Sequence, residues 1–200
     1  MKIKKLIPYN NQLFFGRANS AIWMMAKYLK EQYKKPTIIF PSSMCVSPVL
    51  IFFLEKYKIK FVDINLNTGL MNLNEVLKIT KKNKKTILFY VNLFGNFEKN
   101  YNLIKKLKKK NVYIIQDIAQ TLLFSSKKEN HKMLFGDVLI TSFGYSKIFD
   151  FSHGSYLYFN NSKIHEYSKK FSNKYIRTLP QKKVNLSKNL YLKWYNKIYL

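Results

Sequence analysis

The chain has 200 residues, of which 47% are hydrophobic and 16% aromatic, enough for one domain with a substantial core and too apolar for a disordered chain. Its formal charge of +26 would favour a polyanionic partner, but only Arg17 and Arg177 among its 36 basic residues are arginines. Proteins that read nucleic acids favour arginine, so the charge indicates a solvated lysine-rich surface and no specific nucleic-acid partner. Non-specific nucleic-acid binding stays open as an alternative.

Neither a disulfide nor a metal site is expected, because Cys45 is the only cysteine and the three histidines lack metal-ligand spacing. The longest apolar stretch, Val49–Leu54, is far shorter than the ~20 residues of a membrane span. The charged start, Met1–Lys5, is not followed by the apolar segment of a secretory signal. We therefore expect a cytoplasmic protein without a membrane span.

Short runs of apolar, β-branched or aromatic residues predict buried strands. In chain order they are Thr37–Phe40, Lys60–Ile64, Thr86–Val91, Val112–Asp117, Asp137–Phe143 and Tyr156–Asn160. Helical periodicity is found at Ala18–Tyr33, Val46–Tyr57, Leu73–Lys82 and Glu98–Lys110. Asn19 or Ser20 is able to cap the first helix. Buried strands alternating with helices predict an α/β fold with a mostly parallel central sheet and helices on both faces.

The sheet pattern stops near Tyr175, which divides the chain into a predicted domain over residues 1–174 and a tail over residues 175–200. The tail is predicted to form one more helix. Its apolar residues would need a partner surface; they are Leu190, Leu192, Trp194 and Ile198.

Polar groups follow two of the predicted strands, at the edge where open α/β sheets bind ligands. Gln116 and Asp117 close one strand, and Thr141–Lys147 follow the strand Val138–Ile140. By position alone, Asp117 would suit magnesium or ribose binding or a helix cap, and Lys147 could be a solvated surface lysine. Position therefore locates a candidate site without fixing its chemistry.

Seven segments in a fixed order carry a more specific pattern over about residues 13–160. They are Gly16–Ile22, Pro41–Cys45, Phe61–Asn65 (like "vfvDid"), Val91–Gly95 (like "vHlyG"), Gln116–Gln120 (like "EDaAq"), Ser142–Lys147 (like "SFyptK") and His153–Ser155 (a weakened "GGG"). Together they resemble the DegT/DnrJ/StrS family of sugar aminotransferases, which depend on pyridoxal 5'-phosphate (PLP) and have the aspartate aminotransferase fold, fold type I. Departures from the pattern are Asn92 in place of the histidine and the lack of an aromatic in Ser43–Cys45.

The resemblance implies PLP as the cofactor and a role for each matching residue. Lys147 would bond covalently to the cofactor aldehyde and later move a proton between the amino donor and the cofactor. Asp117 would face the pyridine nitrogen and stabilise its protonated form. Gln120 matches the position near the cofactor's 3′-oxygen.

The cofactor phosphate is implied to bind at Ser142 and at the backbone amides of Asn19 and Ser20, where a helix N-terminus favours an anion. Two ordinary interpretations stay open. Asn19 and Ser20 could cap a helix, and Ser142 could satisfy backbone groups at a strand end.

By the resemblance, the chain would transfer an amino group, from glutamate by family analogy, to a nucleotide-linked keto sugar in amino-sugar biosynthesis for cell-surface polysaccharide. The family builds its site between two subunits, so a homodimer or a second polypeptide is expected as partner. Family members continue into a small C-terminal domain, which this chain, ending at Leu200, is expected to lack. The alternative is therefore a catalytically impaired fragment, or a relative that only binds a partner.

Overall fold

A computed structural model of the chain describes residues 7–80, 85–121, 132–145, 147–148 and 150–175. Within these ranges one seven-stranded sheet has the order β1-β7-β6-β5-β4-β2-β3. Its strands are β1 (Asn11–Phe15), β2 (Thr37–Pro41), β3 (Lys58–Val62), β4 (Thr86–Val91), β5 (Tyr113–Asp117), β6 (Val138–Ile140) and β7 (Ser155–Phe159). Strands β2 to β6 are parallel, whereas β7 runs antiparallel to both β6 and β1. The predicted mostly parallel α/β sheet is confirmed.

Helices cover both faces of the sheet. They are α1 (Ala18–Gln32), α2 (Val46–Leu54), α3 (Leu73–Ile79), α4 (Tyr101–Lys109) and α5 (Ser162–Tyr175). Alternate residues of a strand enter opposite cores: Ile38 and Phe40 of β2 pack with α1, α2 and α5, whereas Ile39 packs with α3 and α4. The near-continuous apolar strands of the sequence are thus explained by burial on two sides.

Local signals set several helix boundaries. The Asn72 side chain accepts backbone N–H groups at the start of α3, and Asn100 Oδ1 accepts the N–H of Leu103 at 3.3 Å at the start of α4. The last turn of α4 is basic, which complements the negative end of the helix dipole. At the end of α2, Glu55 accepts the Trp23 Nε1–H at 2.8 Å and pairs with Lys27 at 3.0 Å, which joins α2 to α1.

Three elements depart from the sequence-based predictions. β3 begins at Lys58 and ends at Val62, two residues before the predicted segment, because Ile64 already forms an isolated bridge with Met71. β1 and α5 carry polar sequences and were not among the predicted elements. The predicted helical tail after Tyr175 lies outside the described residues.

Candidate active site

One edge of the sheet gathers the segments that the sequence singled out. Strands β2 to β6 end at this edge because they run parallel, and antiparallel β7 begins there with Ser155. Ser155 pairs with Phe15, the last residue of β1, and α1 starts shortly afterwards at Ala18. Asp117 and Gln120 follow β5, Ser142 and Lys147 follow β6, and Asn19 and Ser20 lie in the first turn of α1.

Asp117 is the last residue of β5 and is partly buried. Its Oδ1 accepts the backbone N–H of Ala119 at 2.8 Å, which fixes the carboxylate at the strand end. Burial raises the pKa of the Asp117 carboxyl above its ordinary value, while the Ala119 N–H and the charge of Lys147 act in the opposite direction. A cation against this carboxylate would offset the cost of burying its charge.

Lys147 is partly buried and follows β6, the strand next to β5. Its backbone N–H donates to the carbonyl of Gly144 at 3.2 Å. Its side chain is near enough to Asp117 for an electrostatic interaction. The two residues to which the resemblance assigns the cofactor's aldehyde and its pyridine nitrogen, Lys147 and Asp117, therefore belong to one electrostatic environment.

The first turn of α1 lies at the same edge, where the backbone N–H of Ser20 donates to the carbonyl of Arg17 at 3.1 Å. Arg17 is the N-cap residue and, within the described part of the chain, makes no side-chain capping bond. The expectation that Asn19 or Ser20 caps this helix is wrong, because both lie inside its first turn. An N-terminus without a capping side chain or an acidic residue leaves the positive end of the helix dipole to an external anion.

Gly154 connects the segment before α1 to the segment after β6 through two backbone hydrogen bonds. Its N–H donates to the carbonyl of Gly16 at 2.8 Å, and its own carbonyl accepts the N–H of Phe143 at 2.9 Å. Its φ of +113° is rare for residues with a side chain, and a Cβ would lie 3.3 Å from atoms of both Phe14 and Phe143. Only glycine fits this position without strain.

Gln120 and Ser142 occupy the rim of the site. Gln120 Oε1 accepts the backbone N–H of Phe94 at 3.3 Å, which ties the loop after β5 to the loop after β4. Ser142 Oγ accepts the N–H of Gly144 at 3.4 Å, so this hydroxyl does satisfy a backbone group after its strand. Their roles toward a cofactor stay predictions.

A buried amide network beneath the site was missed by the sequence reasoning. Gln116 and Asn92 are both 0% exposed, and Gln116 Nε2 donates to Asn92 Oδ1 at 2.8 Å. Gln116 Nε2 also donates to the carbonyl of Met133, and its Oε1 accepts the N–H groups of Phe135 and Gly136. The sequence did contain a signal for this network. Gln116 and Asn92 are uncharged amides at the ends of two apolar strand segments, and Gln116 immediately precedes Asp117. The network holds the ends of β4 and β5 in register beneath that carboxylate.

The residues at this edge suit the cofactor that the resemblance implies. A partly buried carboxylate beside a lysine can pair with a protonated pyridine nitrogen, and the open start of α1 can receive a phosphate. No cluster of metal-binding side chains occurs among the described residues. In that same part of the chain, no helix is long and apolar enough to cross a membrane.

Several solved structures share this fold. The Helicobacter pylori aminotransferase PseC, involved in pseudoaminic acid biosynthesis, matches with a TM-score of 0.70 and 20% identity over 88% of this chain and 47% of its own. Escherichia coli GDP-4-keto-6-deoxy-D-mannose-3-dehydratase with bound hydrated PLP matches with a TM-score of 0.66 and 17% identity over 80% of this chain and 42% of its own. Bacillus subtilis NtdA with bound pyridoxamine phosphate (PMP) matches with a TM-score of 0.68 and 15% identity over 86% of this chain and 40% of its own. This chain therefore spans less than half the length of these structures.

The fold is that of the large domain of fold-type-I PLP enzymes. The chain belongs to the DegT/DnrJ/EryC1/StrS aminotransferase family, whose sequence model matches residues 15–190. The family depends on PLP, which confirms the expected cofactor at the level of the family. No curated protein matches the sequence at a significant level.

Proposed function

We propose that this chain binds PLP at the carboxyl edge of its sheet and serves in amino transfer to a nucleotide-linked keto sugar. The observation that carries the proposal is that Asp117, the last residue of β5, and Lys147, which follows the adjacent parallel strand β6, lie at the same edge of the sheet and near enough to interact electrostatically. The proposed substrate rests on family membership and on a neighbour named for a GDP-linked keto sugar. Glutamate is the proposed amino donor, amino-sugar biosynthesis for cell-surface polysaccharide the proposed process, and the cytoplasm the proposed location.

Residues 1–174 would form the cofactor-binding unit, and bound PLP would supply the electron sink for the reaction. Asp117 would hold a proton on the pyridine nitrogen, because a carboxylate at that position favours the charged ring. The ε-amine of Lys147 would hold the cofactor and, once displaced by the donor, take and return a proton at the donor's α-carbon. Gln120 would contact the 3′-oxygen, and Ser142 with the amides of Asn19 and Ser20 would bind the phosphate.

A cofactor-capture experiment tests this proposal. The purified chain is incubated with PLP, reduced with borohydride and digested, and the peptides are mapped by mass. We expect one modified peptide, carrying the cofactor on Lys147. Lys163→Arg, which alters an exposed lysine of α5, should label normally, whereas Lys147→Arg should not. Label spread over many lysines, or unchanged in Lys147→Arg, would rule out the proposed site.

Adding glutamate to the PLP-loaded chain separates an active enzyme from an impaired relative. An active chain should convert the bound cofactor to its amine form, which is seen as a loss of visible absorbance together with formation of 2-oxoglutarate. Capture on Lys147 without this conversion would identify the impaired alternative. The two experiments therefore test cofactor binding and amino transfer separately.

We also propose that the chain associates with a second copy of itself, and an exposed apolar stripe on α2 supports this association. The stripe consists of Val46, Leu50, Phe53 and Leu54, whose exposed fractions are 62%, 49%, 65% and 74%. Their spacing places them along one side of the helix, and apolar surface of this kind is typical of an interface. Light scattering should show a dimer that Phe53→Glu disrupts, while Tyr101→Glu on the opposite layer leaves it intact. A monomeric wild-type chain at micromolar concentration would rule out this association.

A further inference from the structure

A lysine-lined cavity lies at the edge of the sheet opposite the candidate active site. Its volume is about 690 Å³, and it opens between the first residues of β2, β3 and β4. Thr37 of β2 pairs directly with Lys58 of β3 on one side and Thr86 of β4 on the other, so the three strand starts stand side by side. Because the strands are parallel, this edge is separated from Asp117 and Lys147 by the full length of the sheet.

Lysine dominates the lining of this cavity. Six of its eleven lining residues are lysines, whereas lysine makes up 34 of the 200 residues of the chain. None of the described lining residues is acidic; the lysines are Lys34, Lys35, Lys56, Lys58, Lys60 and Lys85. Six like charges around one concavity repel one another, and an anion placed among them would relieve the repulsion.

Apolar side chains and a hydrogen-bonded lysine form the floor and walls of the cavity. Ile39 and Ile79 provide apolar surface, and Lys60 pairs with Ile39 across the two strands. Lys85 Nζ donates to the carbonyl and to Oδ1 of Asn111, both at 2.8 Å, and lies 4.6 Å from the centre of the Tyr33 ring. Burial lowers the pKa of Lys85, and a bound anion would counteract that effect.

The end of α3 forms part of one wall, and its carbonyl groups would ordinarily disfavour an anion. Lys110 neutralises this effect, because its Nζ donates to the carbonyls of Leu77 and Thr80 at 3.1 and 3.3 Å. Lys110 does not itself line the cavity. Lys110 therefore neutralises the negative end of α3, and it is a further cation beside the six lysines that line the cavity.

We propose that this cavity binds a small molecule bearing several phosphate groups, at a second site distinct from the cofactor site. Its volume falls within the range of about 300–1,000 Å³ typical of small-molecule pockets. Even without Lys85, whose ammonium group is held by Asn111, five lysines line the cavity. Five lysines exceed what one phosphate can engage, so the charge favours a di- or triphosphate over inorganic phosphate. The shared chemistry is the polyphosphate chain, which occurs both free and as part of a nucleotide.

Calorimetric titration with inorganic triphosphate and with ATP, at roughly physiological salt so that long-range attraction is screened, tests the proposal. The cavity variant is Lys34→Gln/Lys58→Gln/Lys60→Gln. The control, Lys163→Gln/Lys169→Gln/Lys170→Gln, removes the same charge from exposed positions of α5 on the other face of the sheet. Lys85 is left unchanged because it also supports the fold. Urea midpoints of both variants establish that they are folded.

We expect the cavity variant to bind triphosphate at least tenfold more weakly than the wild type, and the control to change by less than threefold. Tighter binding of ATP than of triphosphate would identify a nucleotide, and equal affinity would identify the phosphate chain alone. The three substitutions of the cavity variant lie at the edge of the sheet opposite Ser142 and the start of α1, so a loss of binding in this variant separates the cavity from the proposed cofactor phosphate site. Equal losses in both triple variants, or no binding at millimolar triphosphate, would overturn the proposal. Much tighter binding of a single-stranded oligonucleotide through the same lysines would also overturn it.

Discussion

Replacing Gln116 by leucine would test the amide network beneath the candidate active site. Leucine fills a similar volume but offers no hydrogen bonds, so Asn92 Oδ1 and the N–H of Gly136 would lose their partner inside the protein. Each buried polar group left without a partner costs about 1–3 kcal/mol, which gives about 2–6 kcal/mol for the two. Phe135 and Met133, the other partners, are only partly buried and are omitted from this sum because water can replace the lost bond. A cost of this size is a large part of the stability of a single domain, about 5–15 kcal/mol.

Urea unfolding followed by circular dichroism measures this cost, provided that the slope of the free energy against urea is unchanged. Gln12→Leu is the matched control, because Gln12 lies on β1 with its side chain exposed. That control should change the free energy of unfolding by less than about 0.5 kcal/mol. A cost below about 1 kcal/mol for Gln116→Leu would show that the network does not carry the stability we assign to it.

Three further predictions concern charges and backbone. Burial raises the pKa of Asp117, so its ionised form destabilises the cofactor-free fold. Asp117→Asn should therefore raise the urea midpoint at pH 7, and this gain should disappear as the pH falls below 3.8, the ordinary pKa of an aspartate carboxyl. An unchanged difference between the two proteins at pH 3.5 would contradict the prediction that the ionised carboxylate is destabilising. Gly154→Ala should lower the free energy of unfolding by about 1–3 kcal/mol, because its φ is +113° and the rings of Phe14 and Phe143 are close. Gly144→Ala should cost much less in the same urea experiment, because a Cβ there would lie 3.7 Å from its nearest neighbour. Equal costs for the two variants would refute the argument. Burial alone would raise the pKa of Glu55, but hydrogen bonds from Trp23 and Lys27 lower it below its ordinary value. Glu55→Gln should therefore reduce the free energy of unfolding by about 1–2 kcal/mol near pH 7 and by less below pH 4.5. Glu166→Gln, at an exposed position, should show neither effect.

The elements predicted correctly from the sequence are those with strong local patterns. β2, β4 and β5 are nearly continuous apolar runs because both of their faces are covered, and α1 has a broad apolar side. β1 was missed because it starts with Asn11 and Gln12 and is held by pairing with a distant strand. α5 was missed because its buried side is a narrow stripe of Ile164, Ser168 and Phe171 within a polar sequence.

The candidate site shows the same division. From the sequence, Asp117 could be placed at the end of one strand and Lys147 in the segment that follows another, and the resemblance linked them to one chemistry. The pairing of Gln116 with Asn92 could not be predicted, because it depends on the register of two strands whose partners are 24 positions apart. The lysine-lined cavity was hidden for a similar reason, since its residues come from three separate strand starts and each one resembles an ordinary solvated lysine.

The pairing of β1 with β7 also constrains the order in which this protein can be completed during synthesis. Its paired residues run from Asn11 with Phe159 to Phe15 with Ser155, positions separated by 140 to 148 residues. A ribosome must therefore release nearly the whole described chain before the first strand has a partner, and contacts of such long range slow folding. Because α1 begins just after β1, the start of this helix, where we propose that the phosphate binds, is held at both sides only from then on. The nascent chain should be able to form the central strands early, but it should acquire the capacity to retain a phosphate only after Phe159 has emerged.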